Sequence, residues 1–268
     1  MIAMLARVIH QAAPGAGVLT PQAIRGLRSA AFRWSVAPAA IAWILLLSLP
    51  RSEQWGTLCV APRAGLAEGF IAQTSVAIAA IEPTRMTAEW GLMIVAMMFP
   101  LLSPAISHIS ARSFKARRNR SVGIFIAGYL APWLGAAITG SMILILMRSM
   151  FAFLSLESVA GVTGCGLAAL WQLSSAKKKA VNRCHGTKPL HAFGTAADLD
   201  ALSFGLVHGS RCVASCFPLT VLPFIAGGGL GMMAALFAVL LAERARHIPQ
   251  YGVSAIVLVF LGLTLARG

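Results

Sequence analysis

Runs of about 20 predominantly apolar residues, each closed by a short polar or basic segment, recur along most of the chain, and nothing else constrains its fold as strongly. In hydrocarbon every backbone N–H and C=O must be satisfied internally, so repeated runs of this length impose helices. The runs lie at roughly 34–50, 87–109, 121–147, 153–173, 200–227, 230–245 and 250–266. They predict an all-α, polytopic transmembrane helix bundle of about seven spans. Composition agrees: 58% of the 268 residues are hydrophobic and 11% charged, against about 25% charged in ordinary soluble domains. Pro218 and Pro223 either kink or end the fifth run, and Gly227-Gly228-Gly229 supplies a tight turn into the sixth.

The net charge of +14 would point to nucleic acid in a soluble protein. Here the cations sit in short segments between apolar runs, which is the pattern that orients a membrane protein, so no nucleic-acid partner is expected. Arg112, Lys115, Arg117, Arg118 and Arg120 fill one loop, and Lys177, Lys178, Lys179, Arg183 and Lys188 fill another. A third group, Arg244, Arg246 and His247, follows the sixth run. With seven spans, all three groups share the cytoplasmic side with residues 1–33, a basic N-terminal arm carrying Arg7, Arg25, Arg28 and Arg33. Residues 34–268 then form the membrane domain, with loop 51–86 outside. Segment 64–81 is apolar but contains Glu68, Gln73, Thr74 and Ser75. It reads as a periplasmic or interfacial helix, because a further span there would force the basic arm outside. Loops of about 25–35 residues leave no room for a soluble domain with its own core.

Within the fifth run, His208, Cys212 and Cys216 are spaced four apart and therefore share one stripe of a helix. Imidazole and thiolate suit Cu(I) or Zn(II), and polar groups at bilayer depth are functional candidates by default. Each step rises about 6 Å, so one ion cannot bind all three. Either His208 with Cys212, or Cys212 with Cys216, forms a two-ligand site, which Cu(I) accepts more readily than zinc does. The plainer alternative is that the thiols pack as small hydrophobes and the histidine is hydrogen-bonded inside the bundle. Arg211, on another face, would favour thiolate nearby. Met93 and Met97, also four apart, present thioethers that bind Cu(I) without deprotonation, although methionine is equally a core filler. Pro100 and Pro104 bend that helix. Cys184, His185 and His191 lie in the basic loop, where a Cys-His pair and a second histidine could receive a metal on the cytoplasmic face, although solvated side chains are the ordinary outcome; Asp198 and Asp200 read as caps of the fifth run. Gly161, Gly164 and Gly166 around Cys165 suggest close helix packing. The chain has no phosphate-cradling loop, no nucleophile elbow and no His-Glu-x-x-His, so no catalytic residue is assigned.

Several motifs occur in a particular order: Trp90-x2-Met93-x3-Met97-Met98-x-Pro100, Gly128-Tyr129-Leu130-x2-Trp133, Leu170-Trp171-Gln172-Leu173 with lysines and Cys184, Gly209-x2-Cys212-x3-Cys216, and Glu243-x5-Pro249. In these the chain, over about 87–252, resembles the bacterial family of predicted metal-binding integral membrane proteins, some of whose members are labelled copper chaperones. Ser215 and Thr220 stand where that family has a cysteine and a methionine, which favours low-coordinate Cu(I) over zinc. The resemblance implies an inner-membrane soft-metal protein that handles or delivers copper, with a membrane or periplasmic cuproenzyme as recipient. Cys212 and Cys216 would be core ligands, with His208, Met93 and Met97 as neighbours or relay stations. Two other roles stay open: an accessory or assembly subunit of a membrane complex whose thiols are structural, and a metal transporter.

Overall fold

The computed structural model describes residues 29–48, 83–153, 157–184, 186, 188–226, 229–245 and 251–267. Segment 64–81, most of the N-terminal arm, Cys59 and His185 lie outside the described residues. Among the described residues all regular structure is helical. A π-helical turn at Phe32–Val36 leads into α1 (Ala37–Ser48). Then come α2 (Pro83–Met98), a 3-10 turn (Phe99–Leu102), α3 (Ser103–Arg112) and α4 (Arg118–Phe153). They are followed by α5 (Glu157–Leu173), α6 (Ser175–Cys184), α7 (Gly194–Ala226), α8 (Gly229–Ala245) and α9 (Tyr251–Arg267).

Each expected span falls on a helix, but the lengths differ from the expectation. Two stretches, Ala88–Arg112 and Arg118–Ile143, are long and apolar enough to cross a membrane. The helices under the other expected spans are shorter, 17 residues in α5, α8 and α9, or carry polar side chains, as α7 does. Among the described residues the structure thus shows two stretches both long and apolar enough to cross, against the seven spans expected. Large apolar side chains nevertheless point outward from several elements, including Ile41 and Ile44 on α1, Leu134 and Ile138 on α4, Leu167 and Leu170 on α5, and Ile256 on α9.

The prolines of the α2–α3 stretch explain how it bends and what holds the bend. Pro100 has no N–H, so the Ala96 carbonyl loses its helical donor. The Trp43 indole of α1 donates to that carbonyl at 3.1 Å. Pro104 likewise deprives the Pro100 carbonyl, and the Ser103 hydroxyl donates to it at 3.0 Å. Ser103 also meets Ser35 at 2.8 Å, which ties the π-helical turn to the bend.

Helix α7 is the centre of the bundle, packed against α4 along much of its length and also against α5, α6 and α8. Its contact with α4 is a seam of glycines. A Cβ at Gly128 would lie 2.5 Å from the Leu202 carbonyl oxygen. One at Gly205 or Gly209 would collide with the carbonyl oxygens of Phe125 or Tyr129. Gly205-x3-Gly209 is thus a small-residue interface that lets two backbones touch. Elsewhere, Gly164 packs on Leu222 and Ile225, and Cys165 sits 3.0 Å from where a Gly262 Cβ would be, so Cys165 packs helices. Gly166 faces open space.

Candidate metal centre

His208, Cys212 and Cys216 are all buried on α7, but each meets a different environment. His208 lies among the rings of Phe125, Tyr129 and Phe204, at centroid separations of 6.0, 6.1 and 5.8 Å. One turn on, Cys212 is the hub. The Tyr129 hydroxyl donates to its Sγ at 3.2 Å, and the Arg244 guanidinium of α8 approaches it at 4.0 Å. Its own thiol points at the Met98 thioether, 4.0 Å away. A further turn on, Cys216 lies within hydrogen-bonding reach of Cys212 and meets the Ser215 hydroxyl at 3.3 Å.

A third thiol joins from α6. Lys177, Val181 and Cys184 recur at helical spacing and are buried, whereas Lys178, Lys179 and Arg183 face outward. This amphipathic stripe brings Cys184 Sγ to 3.9 Å from the Ser215 hydroxyl. Burial pushes the Cys184 thiol above its ordinary pKa, and the Arg244 guanidinium opposes that rise.

The same stripe carries Lys177 into the interior, where its ammonium is fully buried. It donates to the Ser215 carbonyl at 2.9 Å and pairs with Glu243 at 3.1 Å. Gln172 donates to the other Glu243 oxygen, and the Trp171 indole reaches the same Ser215 carbonyl at 3.5 Å. Three residues downstream stands Pro218, whose ring disturbs the helical bonding of this turn. Lys177 and Trp171 therefore fix the backbone between the two α7 cysteines from outside the helix.

Several sequence expectations are placed differently. Met93 and Met97 are fully buried on α2, as is Met98, but the methionine sulfur that meets Cys212 is that of Met98. Arg211 donates to the Arg183 carbonyl at 2.8 Å, and the cation that approaches Cys212 is Arg244. Asp198 and Asp200 are not caps, because α7 starts earlier, at Gly194. Asp198 bridges Arg117 and Arg120, each at 2.7 Å, and Asp200 pairs with Lys188 at 3.2 Å and His191 at 2.6 Å. His191 is thus engaged with a carboxylate at an exposed position, away from the thiols. Cys184, read as a loop residue, is part of the buried cluster.

The donor set is soft and low in coordination. Three sulfurs held at about 2.3 Å from one ion in a trigonal plane lie about 4.0 Å apart, the type of separation found between Cys212 and Met98. Among the described residues no three His, Cys, Asp or Glu side chains converge to hold a metal, so a four-ligand zinc site is not built here. Cys212, Cys216 and Met98 match what Cu(I) accepts.

An all-helical protein with thiols and a thioether gathered in a water-excluded core is the class this fold and centre define. Residues 87–266 match the family described as copper chaperone (PpoB2), and the chain belongs to that family. Searches of curated proteins and of solved structures returned no match.

Proposed function

We propose that the chain is a multi-pass protein of the bacterial inner membrane, with its N-terminus cytoplasmic, that takes up Cu(I) on Cys212 and Cys216 and passes it on. The recipient is a membrane or periplasmic cuproenzyme. The observation that carries this reading is the contact of the Cys212 thiol with the Met98 thioether, with Cys216 within reach of Cys212, in a buried core. Thiolate and thioether donors favour a soft monovalent ion, and membership of the copper chaperone family agrees with that cargo. The membrane reading draws support from the two helices of crossing length, the outward Ile and Leu side chains, and the cationic segments between apolar runs. Copper here is cargo. Each thiol that binds it loses its proton, and Met98 binds without doing so. His208, one turn nearer the basic segments, and Met93 and Met97, deeper in α2, serve as relay positions on either side.

The test is Cu(I) titration of detergent-purified full-length protein against a chromophoric Cu(I) chelator. One Cu(I) per chain is expected for the native sequence, and none held in competition by the Cys212→Ser/Cys216→Ser double variant. Met98→Leu should retain binding at reduced affinity. Equal copper in the native protein and the double variant would reduce the thiols to packing groups and leave the accessory-subunit role standing.

A further inference from the structure

We propose that Arg244 makes the thiol centre selective for a monovalent cation, by acting as the fixed counter-charge of the loaded site. The proposal rests on the copper-binding reading above. Its starting point is an imbalance. Two cations face the thiols, the fully buried Lys177 and the partly buried Arg244, and among the described residues only Lys177 has a carboxylate partner. Lys177 is paired with Glu243, so that pair is neutral as a unit. Arg244 is adjacent to Glu243 in sequence, yet among the described residues no carboxylate is paired with it. Its guanidinium points instead at Cys212, 4.0 Å away, and its electrostatic neighbours are Cys212, Cys216, Cys184 and the Tyr129 hydroxyl. An arginine does not give up its proton, so its positive charge enters the balance of the centre whichever ion is bound.

Charge balance then discriminates between ions. When a monovalent ion binds Cys212 and Cys216, two S–H bonds break, two protons leave, and two metal–sulfur bonds form. The thiolates contribute two negative charges, the ion one positive charge and Arg244 one more, so the loaded centre is neutral. A divalent ion on the same two thiolates leaves a net positive charge in the core. Uncompensated charge in a low-dielectric interior is costly, so the fixed guanidinium works against divalent ions. The selectivity therefore comes from charge as well as from softness.

Silver(I) and cadmium(II) separate the two causes, since both are soft thiophilic ions and they differ in charge. Purified full-length protein, its Arg244→Gln and Arg244→Lys variants, and the Cys212→Ser/Cys216→Ser control are each titrated with Ag(I) and Cd(II) in the same detergent. The Cd(II)–thiolate absorption band and competition against Cu(I) provide the readouts. The native protein is expected to exchange Cu(I) for Ag(I) and to resist Cd(II). Arg244→Gln should shift the Ag(I):Cd(II) preference toward Cd(II) by about tenfold to a hundredfold, and Arg244→Lys, which keeps the charge, should hold close to the native preference. A general packing role would lower both affinities together and leave the ratio unchanged, and that result overturns the proposal. Should Arg244→Gln fail to fold, the native and Arg244→Lys proteins still decide, because Cd(II) bound to either as tightly as Ag(I) refutes it. Absence of cysteine-dependent Cu(I) or Ag(I) binding in the native protein would instead refute the underlying copper reading. Binding with an unmoved ratio refutes this inference alone.

Discussion

Replacing Gly209 by alanine should both separate α4 from α7 and loosen the thiol centre. A Cβ at Gly209 would collide with the Tyr129 carbonyl oxygen and lie 3.1 Å from the Tyr129 carbonyl carbon and Cα. These are backbone atoms, so no rotamer change relieves the contact. At Gly128, on the facing helix, a Cβ would lie 2.5 Å from the Leu202 carbonyl oxygen, against the 3.4 Å at which ordinary contact begins. Relief on this scale means moving the helices apart by about 0.9 Å, which forfeits roughly a quarter to a half of the dispersion attraction across the seam. Overpacking of this kind costs about 1–3 kcal/mol, against about 1 kcal/mol gained when alanine replaces glycine inside a helix. Gly123→Ala and Gly135→Ala on α4 are the controls, since a Cβ there meets nothing within 4 Å. They should be neutral or stabilising, so Gly209→Ala should fall below them by about 1–3 kcal/mol. Because Tyr129 moves with the seam, its 3.2 Å bond to Cys212 lengthens as well. Thermal unfolding in mild detergent reads the first effect, and the rate of maleimide labelling of Cys212 reads the second. If Gly209→Ala melts with its controls and Cys212 labels no faster, the seam does not position the site.

Three further outcomes follow from the same geometry. Glu243→Ala strands the buried Lys177 ammonium and should destabilise the protein by about 3–5 kcal/mol in a denaturation series, whereas Lys177→Met with Glu243→Leu should recover most of the loss. Tyr129→Phe removes one hydrogen bond to Cys212 and should cost about 0.5–1.5 kcal/mol without changing Cu(I) stoichiometry, which thermal unfolding and chelator titration together check. The Cys184 thiol has its pKa raised by burial, so it favours folding at neutral pH and loses that contribution as pH climbs past the ordinary thiol range into its raised value. Melting temperature should fall between pH 7 and pH 10 more in the native protein than in Cys184→Ala, and parallel falls would refute this.

Apolar run length located the helices well because it reports a requirement that each segment meets alone, the internal satisfaction of its backbone. All seven runs coincide with helices, and Pro100 and Pro104 mark a real bend. Helix ends were less legible. Polar first turns such as Gly194–Leu199 are helical because Asp198 is held by Arg117 and Arg120 from another segment, a long-range condition that no local pattern encodes. Gly205-x3-Gly209 was readable as a small-residue motif, but its value depends on Gly128 standing opposite it. Pairing of that kind exists only once two helices are packed.

The candidate site shows the same division between what one helix dictates and what several must supply together. Spacing of four places His208, Cys212 and Cys216 on one stripe, and helix rise alone forbids a single three-ligand site from them. The missing donors come from elsewhere, and each was visible in the sequence under a different description. Met98 stood beside Met93 and Met97 with no sign of which thioether would face α7; a rotation of about 100° per residue decides that, and the bend at Pro100 sets the rotation. Cys184 read as part of a basic loop because its neighbours are cationic, yet Lys177, Val181 and Cys184 carry the helical period that buries all three. Arg244 read as an orienting charge at the end of a span, and the element that distinguishes it from other such charges is spatial: Glu243 beside it is already taken by Lys177. A cation whose neighbouring carboxylate is taken by Lys177, and which is aimed at Cys212, is the part of this centre least legible in sequence. It is also the part on which the proposed preference for a monovalent ion rests.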